Sequence, residues 1–134
     1  MVNLVGRNAI ITGASQGLGA EIARQYVTSG ASVVLCSRTE DDLKATKERL
    51  MPDLRVGQQL EVVVCDVSCP DEVNTLITRS LQLLKHVDVL VNNAGFVRDR
   101  MLVSTSIEEW DAVINVHLRG HFCPTRHAIA YWRI

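Results

Sequence analysis

An apolar run ending at Thr12 is followed by three glycines in seven residues, Gly13-Ala14-Ser15-Gln16-Gly17-Leu18-Gly19, and then by a helical pattern from Ala20. Glycines leave the backbone N–H groups of such a turn bare, and the positive end of the helix points at the same place. A phosphate or pyrophosphate is the ligand that this arrangement suits. The spacing is Gly-x-x-x-Gly-x-Gly rather than the Gly-x-Gly-x-x-Gly of the common dinucleotide fingerprint. The same letters also spell Gly13-x-Ser15-x-Gly17, the nucleophile elbow of a serine hydrolase. Against hydrolysis, the preceding strand is the first in the chain, so no earlier loop supplies a second oxyanion donor. Gly19 also has no task in an elbow.

Other residues invite weaker readings. His117 and His121 stand four apart, as paired metal ligands on a helix do. Leu118 stands where a metalloprotease motif would carry glutamate, and no third ligand is evident, so a structural or solvated pair is expected and no metal. Arg98-Asp99-Arg100 reads as a solvated loop. Asp66, read alone, is a turn or helix-capping residue. The four cysteines, Cys36, Cys65, Cys69 and Cys123, show no Cys-x-x-Cys spacing. Two of them end apolar runs, where cysteine acts as a small buried hydrophobe, and a reducing, cytoplasmic setting follows.

Strands and helices alternate along the chain. Asn8 to Thr12, Ala31 to Cys36, Leu60 to Cys65 and Val87 to Val91 read as strands, the first with its apolar residues consecutive rather than alternating, as in a parallel sheet buried on both faces. Gly17 to Ser29 reads as a helix with Leu18, Ile22, Ala23 and Tyr26 on one stripe, closed by Gly30. Thr39-Glu40-Asp41-Asp42 offers a capping-box-like start to a helix ending near Leu50. Pro70, Asp71 and Glu72 open a third helix whose apolar face is Val73, Leu76, Ile77, Leu81 and Leu84. Ser106-Ile107-Glu108-Glu109 is a second capping box, opening a long helix. Short connections imply right-handed crossovers.

With 134 residues, 47% hydrophobic and 22% charged, the chain holds one globular domain spanning residues 1–134. A net charge of −1 argues against nucleic acid as a partner. No apolar run approaches the roughly 18 residues that a membrane span needs, and the N-terminus lacks a signal-peptide core.

Thr12-Gly13-Ala14-Ser15-Gln16-Gly17-Leu18-Gly19, Asp66 after the third strand, Asn92-Asn93-Ala94-Gly95 after the fourth, and Asn115 in the long helix resemble the short-chain dehydrogenases/reductases. The resemblance covers essentially the whole chain, with its motifs at the carboxyl ends of strands, where an open parallel sheet binds ligands. It implies a Rossmann-type, doubly wound α/β sheet in strand order 3-2-1-4, carrying only the first four strands and the following long helix. It also implies roles. Gly13, Gly17 and Gly19, with the backbone around Ser15, Gln16 and Leu18, would cradle a pyrophosphate. Asp66 would accept from the adenine amine with Val67 beside the ring. Asn93, Ala94 and Gly95 would form the floor under the nicotinamide ribose. Asn115, the one residue tied to catalysis, would hold a water linking the catalytic lysine to solvent.

NAD-selective sites place an acidic residue about 20 residues past the glycines, on the ribose 2′-hydroxyl. Here the second strand ends Cys36-Ser37-Arg38. Arg38 offers a planar cationic fork suited to a 2′-phosphate and Ser37 a hydroxyl donor, so NADP is expected over NAD. The resemblance further implies interconversion of a small-molecule carbonyl and a secondary alcohol. Arg98-Asp99 after Asn-Ala-Gly, and Val116-His117-Leu118-Arg119-Gly120, look like 3-oxoacyl-thioester reductases and 3-hydroxyacyl-CoA dehydrogenases. Full-length relatives are often homo-oligomers.

The family's proton-transfer group, a Ser and a Tyr-x-x-x-Lys, is not found here. Tyr131 and Trp132 are expected to pack or lie at a solvent edge. The chain is therefore expected to hold the cofactor half of an oxidoreductase site and to be inactive alone, with an exposed sheet edge that lowers its solubility. The alternative is a catalytically silent nucleotide-binding or subunit-pairing short form.

Overall fold

The computed structural model describes residues 2–133. Four parallel strands, β1 (Asn8–Thr12), β2 (Ser32–Ser37), β3 (Leu60–Val64) and β4 (Val89–Val91), form one sheet in the order β3-β2-β1-β4, as expected. Ile10 lies opposite Val34 on one side and Leu90 on the other, which sets the register of the central strand. Every residue of β1 is buried, which is why its sequence shows no polar alternation.

Successive side chains of a strand point to opposite faces, so the two cores divide residue by residue. Ile11, Val33 and Leu35 pack with Ala23, Val27, Leu43 and Leu50 under helices α1 (Gly17–Thr28) and α2 (Glu40–Leu50). Ile10, Val34 and Cys36 pack with Val73, Leu76 and Leu84 of α3 (Pro70–Leu84) and with Cys123. That second face is completed by Val116 and by α5 (Gly120–Trp132), which brings Cys123 and Tyr131 to it, whereas α4 (Ile107–Ile114) buries none of its residues. Among the described residues no helix is long and apolar enough to cross a membrane.

Local signals fare unevenly. Gly30 follows α1 at φ +100°, and Pro70 opens α3. At Ser106 both halves of the capping box form: its hydroxyl accepts from Glu109 N–H at 3.1 Å, and the Glu109 carboxylate accepts from Ser106 N–H at 3.0 Å. Thr39 begins α2 without a side-chain cap. Its partner three residues on is Asp42, a methylene shorter than the glutamate that the reciprocal bond requires.

The buried stripe of α1 is Gly19, Ala23 and Val27, with Ile22 and Tyr26 at its edge, while Leu18 is 69% exposed. Small residues win the inner face because the helix start lies so close to the glycine turn. The long C-terminal helix is not uniform: a π-helical turn, Asn115–Arg119, separates α4 from α5. Tyr131 packs against the second core, and Trp132 donates its indole N–H to the Val87 carbonyl at 2.8 Å. β4 has β1 on one side and no strand on the other among the described residues.

Candidate functional site

The chain runs from β1 outward through β2 to β3 and then returns to place β4 on the other side of β1. The crevice opened at the carboxyl ends by such a reversal is where doubly wound sheets take ligands. A cleft of about 410 Å³ lies there. Gly13, Ser15, Gln16, Gly17, Leu18, Gly19, Ser37, Arg38, Asp66, Val67, Asn93, Ala94 and Gly95 all line it, so every nucleotide contact anticipated from sequence is brought to one place. Thr39, Asp42, Cys65, Phe96 and Val116 line it too, and nothing in their types announced that.

The glycines are needed for different reasons. A Cβ on Gly19 would stand 2.0 Å from the Gly13 carbonyl oxygen and 2.5 Å from Asn93 Nδ2, so its bareness serves packing. Gly17, at φ +56°, would meet no heavy atom within 4 Å. Its missing side chain leaves space for something in the cleft.

Thr12, which stands at a strand end and at the head of the glycine motif but was given no role of its own from sequence, ties the turn to the opposite wall. Its hydroxyl, wholly buried, accepts the N–H groups of Asn93 and Ala94, each at 3.0 Å, and donates to the Val91 carbonyl at 3.3 Å. The Asn93 amide reaches back to the carbonyls of Thr12 and Gly13, both at 3.2 Å. The sequence signal was available: a hydroxyl at a buried strand end must find partners.

At the β2–β3 end, Ser37 Oγ accepts from Thr39 N–H at 3.2 Å and Arg38 is exposed. Arg38 takes part in no hydrogen bond or ion pair among the described residues, so its guanidinium is free toward a ligand. Asp66 accepts from both the N–H and the hydroxyl of Ser68 through Oδ1, at 2.9 and 2.6 Å. It is thus a turn residue, as its type alone suggests, whose other oxygen is left for a second partner. Beneath, the contact with Cys65 and burial push the Cys36 thiol well above the ordinary range, so it stays a neutral packing group.

At the β4 end, His117 Nε2 lies 3.0 Å from Phe96 N and 2.7 Å from Phe96 O, and His121 Nε2 lies 3.1 Å from Ala94 O. The two imidazoles are therefore a structural pair. No cluster of three metal-binding side chains occurs among the described residues. Asn115 is exposed and does not line the cleft; its carbonyl accepts the Gly120 N–H across the π-helical turn. Ser15 has no histidine within hydrogen-bonding reach of its hydroxyl among the described residues, and its carbonyl instead accepts from Thr46 Oγ1 at 2.9 Å. The hydrolase reading therefore lacks a base.

Comparison with known proteins agrees with this arrangement. The short chain dehydrogenase family model matches residues 7–133. Hydroxyacyl-CoA dehydrogenase ChsB1 of Mycobacterium tuberculosis is 41% identical over 98% of this chain and 42% of its own length. Glucose 1-dehydrogenase of Gluconobacter oxydans is 35% identical over 95% of this chain and 47% of its own length. The crystal structure of a short chain dehydrogenase from Mycobacterium smegmatis superposes with a TM-score of 0.91 at 36% identity, covering 99% of this chain and 56% of that one. The chain thus spans about half the length of the curated relatives it matches. With the family match running from the start of β1 through α5, on a sheet that reverses beside its glycine turn, the chain belongs to the short-chain dehydrogenase family.

Proposed function

We propose that this chain forms the cofactor-holding part of an NADP-preferring oxidoreductase that interconverts a carbonyl and a secondary alcohol. The observation that carries the reading is the free Arg38 guanidinium lining the same cleft as the glycine turn. A dinucleotide fits the residues present. The cleft is long enough to join the ends of β3 and β4, and Gly17 leaves open space where a side chain would stand. The α1 N-terminus, capped by no side chain, has bare N–H groups to offer a pyrophosphate.

A nicotinamide dinucleotide, when bound, supplies hydride transfer. The chain's own residues bind and orient. Gly13, Gly17 and Gly19 with the backbone of Ser15, Gln16 and Leu18 hold the diphosphate. Ser37 and Arg38 take the 2′-phosphate, and Arg38 excludes no ligand charge by an ion pair of its own. Asp66 and Val67 face the adenine, and Asn93, Ala94 and Gly95 floor the nicotinamide ribose. Asn115, outside the cleft, is assigned a water contact rather than a cofactor contact. No Tyr-x-x-x-Lys occurs in these 134 residues, so proton transfer to the substrate is not assigned to any of them. Tyr131 is committed to packing.

For the substrate we favour a 3-oxoacyl thioester, supported by the resemblance around Arg98-Asp99 and Val116–Gly120 and by the name of the mycobacterial relative. A reducing, cytoplasmic setting suits the four free cysteines. Fluorescence titration with NADPH tests the reading. Saturable binding that is lost in Gly17→Val, with no carbonyl reduction by the chain alone, is the expected result. Normal NADPH affinity in Gly17→Val would overturn the site assignment.

A further inference from the structure

The loop that floors the β4 end of the cleft is held by two histidines from outside it. His117 lies in the π-helical turn and His121 one turn on in α5, with ring centroids 6.4 Å apart. His121 Nε2–H donates to the Ala94 carbonyl at 3.1 Å. His117 Nε2 sits within hydrogen-bonding distance of both the N–H and the carbonyl of Phe96, at 3.0 and 2.7 Å. An imidazole nitrogen accepts when bare and donates when protonated, so in either state the ring keeps a bond to Phe96. Gly95, between these two anchored residues, presses its Cα against the ring: a Cβ there would stand 2.5 Å from His117 Cε1. Gly95 is therefore bare on account of His117 as well as of any ligand.

We propose that His117 and His121 are positioning residues that fix the Ala94–Phe96 loop, and through it the nicotinamide half of the cleft, without touching the cofactor. This rests on the dinucleotide reading above. The pair straddles the π-helical turn, His117 within it and His121 in α5, and the two rings address residues 96 and 94 of one loop rather than a single point. That also accounts for why the spacing resembles a metal motif and yet gathers no third ligand.

The two halves of the ligand separate the possibilities. Adenosine 2′,5′-bisphosphate reaches the glycine turn, Arg38 and Asp66 but has no nicotinamide half. His117→Leu and His121→Leu should each weaken NADPH binding about fivefold or more, the worth of one lost hydrogen bond, while leaving adenosine 2′,5′-bisphosphate affinity within about twofold. His117→Gln, whose amide offers both a donor and an acceptor, should recover most of the NADPH loss. Unchanged NADPH affinity in both leucine variants would overturn the proposal. So would a parallel fall for both ligands that persists in His117→Gln, since that marks a general fold defect. Failure of the dinucleotide reading itself looks different: the unsubstituted chain would then bind neither ligand, and this proposal would fall with it.

Discussion

The Thr12 hydroxyl accepts the Asn93 N–H at 3.0 Å, and the Asn93 side-chain amide also donates to the Thr12 carbonyl at 3.2 Å. Both bonds run from Asn93 to Thr12, and they join the strand end that launches the glycine turn to the loop that forms the opposite wall, 81 residues away in sequence. The Thr12 hydroxyl thus ties the two walls together just beyond the last β1–β4 pair, Ile11 opposite Val91. Because Ala94 N–H shares the same hydroxyl, two backbone donors depend on it.

Thr12→Val keeps the shape and removes the acceptor, leaving both N–H groups without their partner. We expect a loss of about 2 kcal/mol in folding stability by chemical denaturation, and weaker NADPH binding. Thr12→Ser should restore most of both. A Thr12→Val chain as stable as the parent would show that water or a shifted loop replaces the hydroxyl.

Gly19 and Gly17 should fail differently. Gly19→Ala drives a methyl into the Gly13 carbonyl, and overpacking of that kind costs about 1–3 kcal/mol. Gly17→Ala meets no protein atom and bears only the left-handed backbone strain, about 1–2 kcal/mol. A methyl at Gly17 also occupies cleft space, so the NADPH loss per unit of stability lost should be larger at Gly17. Thermal melts run beside NADPH titrations on both variants decide it; an equal ratio would mean that Gly17 faces no ligand.

Glu109 carries the pH prediction. The Ser106 N–H donated to its carboxylate, with Arg100 2.7 Å away, holds Glu109 below the ordinary glutamate range. A depressed carboxylate stabilises the fold above its unfolded pKa and loses that contribution as pH falls through the folded one. The melting-temperature gap between the parent and Glu109→Ala should therefore be greatest near neutrality and close as the solution is acidified. A gap that widens in acid would contradict the capping assignment.

Much of this was readable in the chain. Consecutive apolar residues such as Ile10-Ile11 announced a strand buried on both faces, and the sheet order followed from the family resemblance. The lining of the cleft was legible because glycine, Asp66 and the Asn-Ala-Gly run sit at strand ends, where chemistry and topology coincide. What was hidden depends on distances that no spacing encodes. Thr12 looked like any strand-terminal threonine until Asn93 and Ala94 arrived from the far side of the sheet. Leu18 fitted a helical stripe but turned outward, because the closest approach of α1 was reserved for Gly19. The histidine pair read as structural or solvated, but its partners, backbone atoms of a distant loop, could not be named from spacing. The π-helical turn at Asn115–Arg119 has no propensity signature of its own.

The proposed preference for NADP turns on the Arg38 guanidinium, and the most direct measurement compares NADPH with NADH on the parent chain and on Arg38→Asp. The parent should bind NADPH about tenfold or more tighter than NADH, the worth of a charge-assisted bond to the 2′-phosphate, and Arg38→Asp should reverse the order. Equal affinities in the parent, or a preference that survives Arg38→Asp, would contradict the account.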